Sequence, residues 1–277
     1  MAGLLRILLA TDFGKAAELA RFDSAMLSRA YSVPVDVVHV HPPYPRTSSD
    51  DDARSRRELA VWREALLAAG ASVGEERVTQ GSAAEALIHT AEALDSSLIV
   101  IGAGDRASGD AGTGATAATV GRFARQPVWI SRPRREPGLA RVMVAVDRSA
   151  ASREALVFAS DFCDRFSATP TVVHVVEEPM LTARPDERAD LDARLEQVNE
   201  FVESTGCSNL LGSLRSASGR ADEALRQLAA KEGTDLLILG RTGLAGLRRV
   251  FLGGTAERLL RSAPCSLLLT SPAGPRF

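Results

Sequence analysis

Four glycines and a threonine near the end of the sequence are the residues best placed to do chemistry. Gly240 and Gly243 follow a short apolar run, and Gly253, Gly254 and Thr255 come after nine further residues. Glycine lets the main chain adopt positive φ and approach a ligand with no Cβ in the way. Because such loops often lead into a helix whose N-terminus attracts anions, this spacing predicts phosphate binding.

A helix is predicted to start at the second glycine group. Leu259, Leu260 and Ala263 recur at helical spacing, and Pro264 ends the pattern. The first backbone N–H groups of a helix lack internal partners and carry the positive end of its dipole. We therefore expect these groups, together with the hydroxyl of Thr255, to donate hydrogen bonds to phosphate. The alternative is a purely structural turn from strand to helix.

Buried parallel strands must position this loop. Asp235 opens a short, continuous apolar run that ends at Leu239, and such a run is typical of a strand covered on both faces. Asp147 ends a second such run, VMVAVD, and ligands of open parallel sheets bind beyond the carboxyl ends of the strands. Its carboxylate can accept hydrogen bonds from ribose hydroxyls or an adenine amine, or it can cap the turn that follows. Both roles stay open.

The glycine spacing, G-x2-G-x9-G, resembles the nucleotide loop of the universal stress protein family. The likeness extends to VMVAVDRSAASREAL (142–156), VVHVVEEP (172–179) and RSAPCSLLLTS (261–271). It implies an α/β fold with strand order 3-2-1-4-5, an adenine nucleotide as ligand, and a role in stress adaptation. It also implies that the backbone of Val175 meets the adenine edge. One departure is that ATP-binding members usually have Ser or Thr directly after the third glycine, where this chain has Gly254.

The chain is predicted to be a tandem duplication. The strand that ends at Asp12 repeats as the strand that ends at Asp147, and VVHV around His39 repeats around His174, both at an offset of 135 residues. Gly102 and Gly114 match Gly240 and Gly253 at offsets of 138 and 139. We therefore predict two domains, 1–135 and 136–277. Each is expected to be a doubly wound, five-stranded parallel sheet flanked by helices.

Strands alternate with amphipathic helical segments in both halves, as this fold requires. The predicted strands are 4–11, 35–41, 73–79, 97–102, 127–131, 141–147, 169–176, 209–215, 235–240 and 266–271. The predicted helices are 15–31, 52–69, 82–94, 115–125, 151–166, 187–204, 220–232 and 255–263.

The two halves are predicted to be unequal. Asp105 stands where the C-terminal half has Gly243, the loop is one residue shorter, and Ala115 takes the small or hydroxyl position. Asp105 and Asp110 place negative charge where phosphate would lie, which opposes the same ligand. We thus expect a degenerate loop in 1–135 and an intact one in 136–277. The expected ligand is ATP, with or without Mg²⁺, and the expected binding residues are Asp147, Val175, Gly240, Gly243, Gly253, Gly254 and Thr255.

Composition argues against several other classes of protein. A net charge of −2 without a clustered basic surface disfavours nucleic-acid and anionic-membrane binding. No run approaches the ~18 apolar residues of a membrane span, and Arg6 interrupts the N-terminal apolar stretch, so we interpret that stretch as a strand and not as a signal peptide. Cys163, Cys207 and Cys265 show no metal-ligand spacing and are expected to be packing residues in a reducing cytoplasm.

The leading hypothesis is a cytoplasmic, ATP-binding, nucleotide-dependent regulator of stress adaptation. The resemblance also implies a homodimer, with the halves of one chain pairing through their last strands. The alternative is a nucleotide-free interaction or scaffold module of the same fold. We find no nucleophile–base pair, so an enzymatic role is left open and is at most slow ATP hydrolysis. An ATP-using ligase or pyrophosphatase is disfavoured because SGGxDS follows neither first strand.

Overall fold

The computed structural model describes residues 4–44, 48–104, 113–134, 138–176, 185–243 and 252–271. The chain divides into two compact units, one of residues 2–133 and the other of residues 134–277. Strands and helices alternate along each unit, as the sequence predicts.

The N-terminal unit is a parallel sheet with helices between its strands. Its strands are β1 (Ile7–Thr11), β2 (Pro34–His41), β3 (Ser72–Gln80), β4 (Leu98–Gly102) and β5 (Val128–Ser131). Its helices are α1 (Lys15–Tyr31), α2 (Ser49–Ala68), α3 (Ala83–Ala93) and α4 (Ala115–Phe123). The strand order is β3-β2-β1-β4-β5, and these neighbours pair in parallel.

The C-terminal unit repeats this arrangement. Its strands are β6 (Arg141–Ala145), β7 (Thr169–Val176), β8 (Leu214–Ser218), β9 (Leu236–Gly240) and β10 (Ser266–Thr270). Its helices are α5 (Ala150–Phe166), α6 (Pro185–Glu203), α7 (Ala221–Glu232) and α8 (Gly254–Ser262). The order β8-β7-β6-β9-β10 is again parallel throughout. The predicted α/β fold with strand order 3-2-1-4-5 is therefore confirmed in both units.

The central strands are apolar because they are covered on both faces. All five residues of β1 are buried, as are Leu236, Leu237, Ile238 and Leu239 of β9. The outer strands β3 and β8 are polar and largely half-exposed, which suits strands at the edge of a sheet. Burial thus follows position in the sheet.

Several element boundaries differ from the prediction by a few residues, and two of these differences have an identifiable cause. β8 begins at Leu214 and not at 209, because Ser208–Leu210 forms a 3₁₀ turn. Helix α2 begins at Ser49 and not at 52, because Ser48 caps it: its hydroxyl accepts from the backbone N of Asp51, whose carboxylate accepts from the backbone N of Ser48. That reciprocal capping lets the helix start just before the three aspartates at 50–52, which lie in its first turn.

No helix in the described ranges is both long and apolar enough to cross a membrane.

Candidate functional site

Asp147 and Gly243 meet at the carboxyl edge of the C-terminal sheet. β6 pairs with β7 on one side and β9 on the other, so the residues after β6 and β9 lie side by side where the strand order reverses. A Cβ on Gly243 would stand 2.5 Å from Oδ2 of Asp147. Oδ1 of Asp147 accepts a hydrogen bond from the backbone N of Ser149 at 3.0 Å. One carboxylate oxygen therefore holds the turn while the other faces the glycine loop.

The reason for glycine in this loop is close packing. The prediction that Gly240, Gly243, Gly253 and Gly254 adopt positive φ is wrong, since none of them lies in the left-handed region. Gly253 has φ −62°. A Cβ on Gly253 would approach the carbonyl oxygen of Arg241 to 3.3 Å. At Gly240, Gly243 and Gly253, glycine is favoured because neighbouring atoms occupy the space of a side chain.

Gly240 serves the packing of α5 on β9. A Cβ there would lie 2.7 Å from Cβ of Ala151 and 3.0 Å from its backbone carbon. Gly102 is equivalent in the N-terminal unit, where a Cβ would lie 2.4 Å from the backbone carbon of Ala16. Gly240 therefore shapes the site by bringing α5 against the strand.

The N-terminus of α8 opens onto the same edge without a capping side chain. Its N-cap is Gly253, whose N–H donates to the carbonyl oxygen of Arg241 at 2.7 Å. The first helical hydrogen bond runs from the N–H of Glu257 to the carbonyl oxygen of Gly253, so the N–H groups of residues 254–256 lie in the unsatisfied first turn. In α5, by contrast, the Ser149 hydroxyl accepts from the N–H of Ser152. Helix α8 thus presents the donors that attract an anion.

Thr255 lies in this first turn and is half-buried, and Gly254 before it is exposed.

A cluster of two arginines and one aspartate, formed by Arg220, Asp222 and Arg258, stands beside the start of α8. Nε of Arg258 is 2.7 Å from Oδ1 of Asp222, and Nε and Nη2 of Arg220 are 2.9 and 3.1 Å from Oδ1 and Oδ2. Burial raises the pKa of Asp222, but hydrogen bonds from Arg220 and Arg258 outweigh it and hold that pKa below its usual range. The sequence analysis did not predict this cluster, because Asp222 and Arg258 lie on different helices and no local spacing links them.

Val175 lies where β7 extends past its neighbour. The register of β6 with β7 ends at the pair Ala145–Val173, so Val175 is two residues beyond it. His174, next to it, has Nδ1 2.8 Å from the carbonyl oxygen of Val146, and His39 repeats this contact with Thr11 at 2.9 Å. These histidines tie the ends of paired strands together.

The residue that follows Asp12 or Asp147 has a left-handed backbone conformation in both units. Phe13 has φ 62° and Arg148 has φ 65°. The Phe13 ring stacks on His39 at 4.5 Å and meets Trp62 of α2 edge-on at 5.8 Å. Arg148 instead donates from Nη1 to Oε1 of Gln197 on α6 at 2.5 Å. Backbone outliers of this kind concentrate at functional sites. Here they direct Phe13 toward α2 and Arg148 toward α6, which are equivalent helices of the two units.

Arg241 directly follows β9, at the start of the glycine loop. Arg241 is buried, and burial lowers its pKa to about 10, so it stays charged at neutral pH. Its backbone lies between β10 and α8, since its N–H donates to the carbonyl oxygen of Thr270 at 2.7 Å. Arg248 and Arg249 lie outside the described residues.

The N-terminal unit has a cavity of about 230 Å³ at its carboxyl edge. Apolar side chains of β2, α3 and β4 form much of the wall, together with Gly102, Gly104 and Gly114, and among the described residues that line it Asp12 alone is charged. Asp12 forms the same turn as Asp147, accepting from the N–H of Gly14 at 2.9 Å. The cavity therefore lies in the unit predicted to be the weaker phosphate site.

The start of α4 differs from the start of α8. The hydroxyl of Thr113, just before the N-cap Gly114, accepts a hydrogen bond from Nη2 of buried Arg132 at 2.5 Å. Asp105 and Asp110, on which the predicted repulsion of phosphate rests, lie outside the described residues.

The described ranges contain no cluster of three or more histidine, cysteine or acidic side chains that could hold a metal ion. Cys163, Cys207 and Cys265 are all buried, and burial raises the pKa of the Cys163 thiol to about 12.

Comparison with known proteins identifies the same repeat. Residues 4–132 and 139–271 each match the universal stress protein family. A universal stress protein from Methanocaldococcus jannaschii is 27% identical over 139 residues, which are 47% of this chain and 80% of that protein. One from Thermus aquaticus is 30% identical over 133 residues, which are 46% and 96% of the two chains. The crystal structure of a universal stress protein from Archaeoglobus fulgidus shares the fold, with a TM-score of 0.75 and 19% identity over 97% of this chain and 98% of that one.

Proposed function

Because the chain belongs to the universal stress protein family, we propose that its C-terminal unit binds ATP and that the protein is a nucleotide-dependent regulator of stress adaptation. The observation that carries this proposal is the meeting of Asp147, Gly243 and the uncapped start of α8 at one edge of the sheet. A carboxylate and a set of unsatisfied N–H groups are the two partners that a nucleoside phosphate needs.

The phosphates are assigned to α8. The N–H groups of residues 254–256 and the hydroxyl of Thr255 supply donors, and the dipole of the helix favours negative charge there. Because Gly240 and Gly253 have no side chains, main-chain atoms face the start of α8 at these two positions.

The nucleoside is assigned to the strand ends. Oδ2 of Asp147 points toward the glycine loop while Oδ1 holds the turn, so the carboxylate can accept from ribose without giving up its structural role. Val175, beyond the register of β6, offers backbone groups to the adenine edge. ATP then spans from β7 across β6 to α8, with or without Mg²⁺ on its phosphates.

The second candidate function is a nucleotide-free interaction module. The packing of the glycines favours it, because contacts with Ala151, Asp147 and Arg241 account for the absence of side chains without any ligand.

Titration of ATP into purified protein separates the two candidates, and mass spectrometry of gently purified protein tests for nucleotide already bound. We expect ATP to bind, and Asp147→Asn to weaken binding because it removes the acceptor charge. A wild type that neither carries nucleotide nor binds added ATP would favour the interaction module. Hydrolysis, if detected, is expected to be slow, since positioning of phosphate alone would drive it.

A cytoplasmic location and a homodimeric assembly are part of the proposal and rest on the family alone. Sedimentation equilibrium tests the assembly, and a monomer at all concentrations would contradict the proposed homodimer.

A further inference from the structure

A guanidinium group covers one side of the first turn of α8. Gly254 has no side chain, and a Cβ built on it would lie 3.3 Å from Nη1 and 3.5 Å from Nη2 of Arg258. Arg258 is one turn further along the helix, and helical side chains lean toward the N-terminus. The absence of a side chain at Gly254 therefore makes room for this charge next to the unsatisfied N–H groups.

The position of Arg258 is set from another helix. Its Nε is 2.7 Å from Oδ1 of Asp222 in the first turn of α7, and α7 packs against α8. The Asp222 side chain is only 7% exposed, whereas that of Arg258 is 49% exposed. Asp222 is thus the fixed partner, and it holds the guanidinium through the Nε edge while the Nη groups face Gly254.

The cluster carries surplus positive charge. Arg220 also pairs with Asp222, so these three side chains together carry a net charge of +1, which Glu223 beside Arg220 offsets in part. The dipole of α8 adds positive potential at the same place. A planar guanidinium with Nη donors is the side chain best suited to a phosphate group.

We propose that Arg258 is a specificity-determining residue that binds the outer phosphates of the nucleotide, and that Asp222 positions it. The inference rests on the proposed ATP site. It adds that this site prefers ligands in order of phosphate charge, with ATP bound more tightly than AMP and AMP more tightly than adenosine. The nucleoside contacts at Asp147 and Val175 do not involve Arg258 and keep their strength without it.

The chain offers a matched control one turn away. Arg261 lies on the same helix and pairs with Glu257 at 3.2 Å, with its side chain 68% exposed. Like Arg258→Gln, Arg261→Gln removes one positive charge and one ion pair, but it does so at a greater distance from the start of the helix. A difference between the two variants therefore reports position and not overall charge.

The test is calorimetric titration of ATP, AMP and adenosine into the full chain and its Arg258→Gln, Arg258→Lys and Arg261→Gln variants. We expect Arg258→Gln to weaken ATP about tenfold to a hundredfold, the range of a charge-assisted hydrogen bond, and to change adenosine by less than about twofold. Arg258→Lys should lie between, because it keeps the charge but loses the planar fork. Arg261→Gln should bind all three ligands as the wild type does.

Failure of the inference is distinct from failure of the proposed function. If the wild type binds neither ATP nor adenosine, the proposed function is overturned and this inference with it. If the wild type binds ATP and Arg258→Gln binds it equally well, only the inference is overturned. Equal losses for ATP and adenosine in Arg258→Gln, with unchanged circular dichroism, would show a structural role and also overturn it.

Discussion

Oδ2 of Asp147 lies 2.5 Å from the point that a Cβ on Gly243 would occupy. The two residues belong to different loops, yet the carboxylate takes the space that a side chain at 243 would need. A side chain at position 243 therefore requires the Asp147 carboxylate to move.

Replacement of Gly243 by alanine should weaken ATP binding about tenfold or more while the fold is kept. The new Cβ must displace Oδ2 of the half-buried Asp147 carboxylate, which is the end of a side chain and not backbone. Isothermal titration measures the affinity, and circular dichroism checks the fold.

Gly114→Ala is the matched control, because a Cβ there would meet only ordinary contacts, the nearest being the carbonyl oxygen of Ala103 at 3.5 Å. It alters the equivalent helix start in the N-terminal unit and should leave ATP binding unchanged. Undiminished affinity in a folded Gly243→Ala variant would remove the glycine loop from the site.

One ATP should bind per chain, in the C-terminal unit. In the N-terminal half Asp105 stands where the C-terminal half has Gly243, and a negative charge several Å from phosphate near a surface costs about 1–4 kcal/mol. Titration of ATP should give a stoichiometry close to one. Asp147→Ala should abolish binding and Asp12→Ala should change it little. Two equivalent sites, or loss of binding through Asp12 alone, would reverse the assignment.

Gly240→Ala should destabilise the C-terminal unit by about 1–3 kcal/mol, the usual cost of overpacking. Its Cβ would meet Ala151 Cβ at 2.7 Å and backbone atoms of α5 at 3.0 and 3.1 Å, and backbone cannot rotate aside. Urea unfolding measures the loss. Gly254→Ala is the comparison, since its Cβ meets only the end of the flexible Arg258 side chain. Equal stability of the two variants would contradict the packing role of Gly240.

The stability of the N-terminal unit should fall as the pH drops through 6.5. Burial lowers the pKa of His39 below its ordinary value of 6.5, aided by the charge of His41 and opposed by the hydrogen bond to the Thr11 carbonyl. The unfolded chain therefore takes up a proton at a higher pH than the folded chain does, and folding loses stability below that pH. Unfolding by urea across this range should show the slope, and His39→Gln should flatten it. An unchanged slope in that variant would assign the effect to other groups.

The duplication and the strand order were predictable from the sequence because both depend on local signals. Apolar runs mark strands buried on two faces, and the constant offset between Asp12 and Asp147 marks the repeat. The start of β8 was misplaced because Ser208–Leu210 forms a 3₁₀ turn, in a segment where the apolar pattern does not separate turn from strand.

The residues of the candidate site were also found from sequence, but their physical role was not. Glycine at 240, 243 and 253 indicated a special backbone, and the prediction of positive φ was wrong for each. What excludes a side chain there is an atom from another segment, such as Ala151 or the Asp147 carboxylate.

The sequence by itself determined the fold, the repeat and the place of the glycine loop, since hydrophobic periodicity and turn residues act over a few neighbouring positions. Only the tertiary structure decided which atoms fill the space beside each glycine, and that Asp222 of α7 holds Arg258 over the start of α8. The reason is geometric. A contact between residues on separate helices depends on how those helices pack, and no local pattern records that distance.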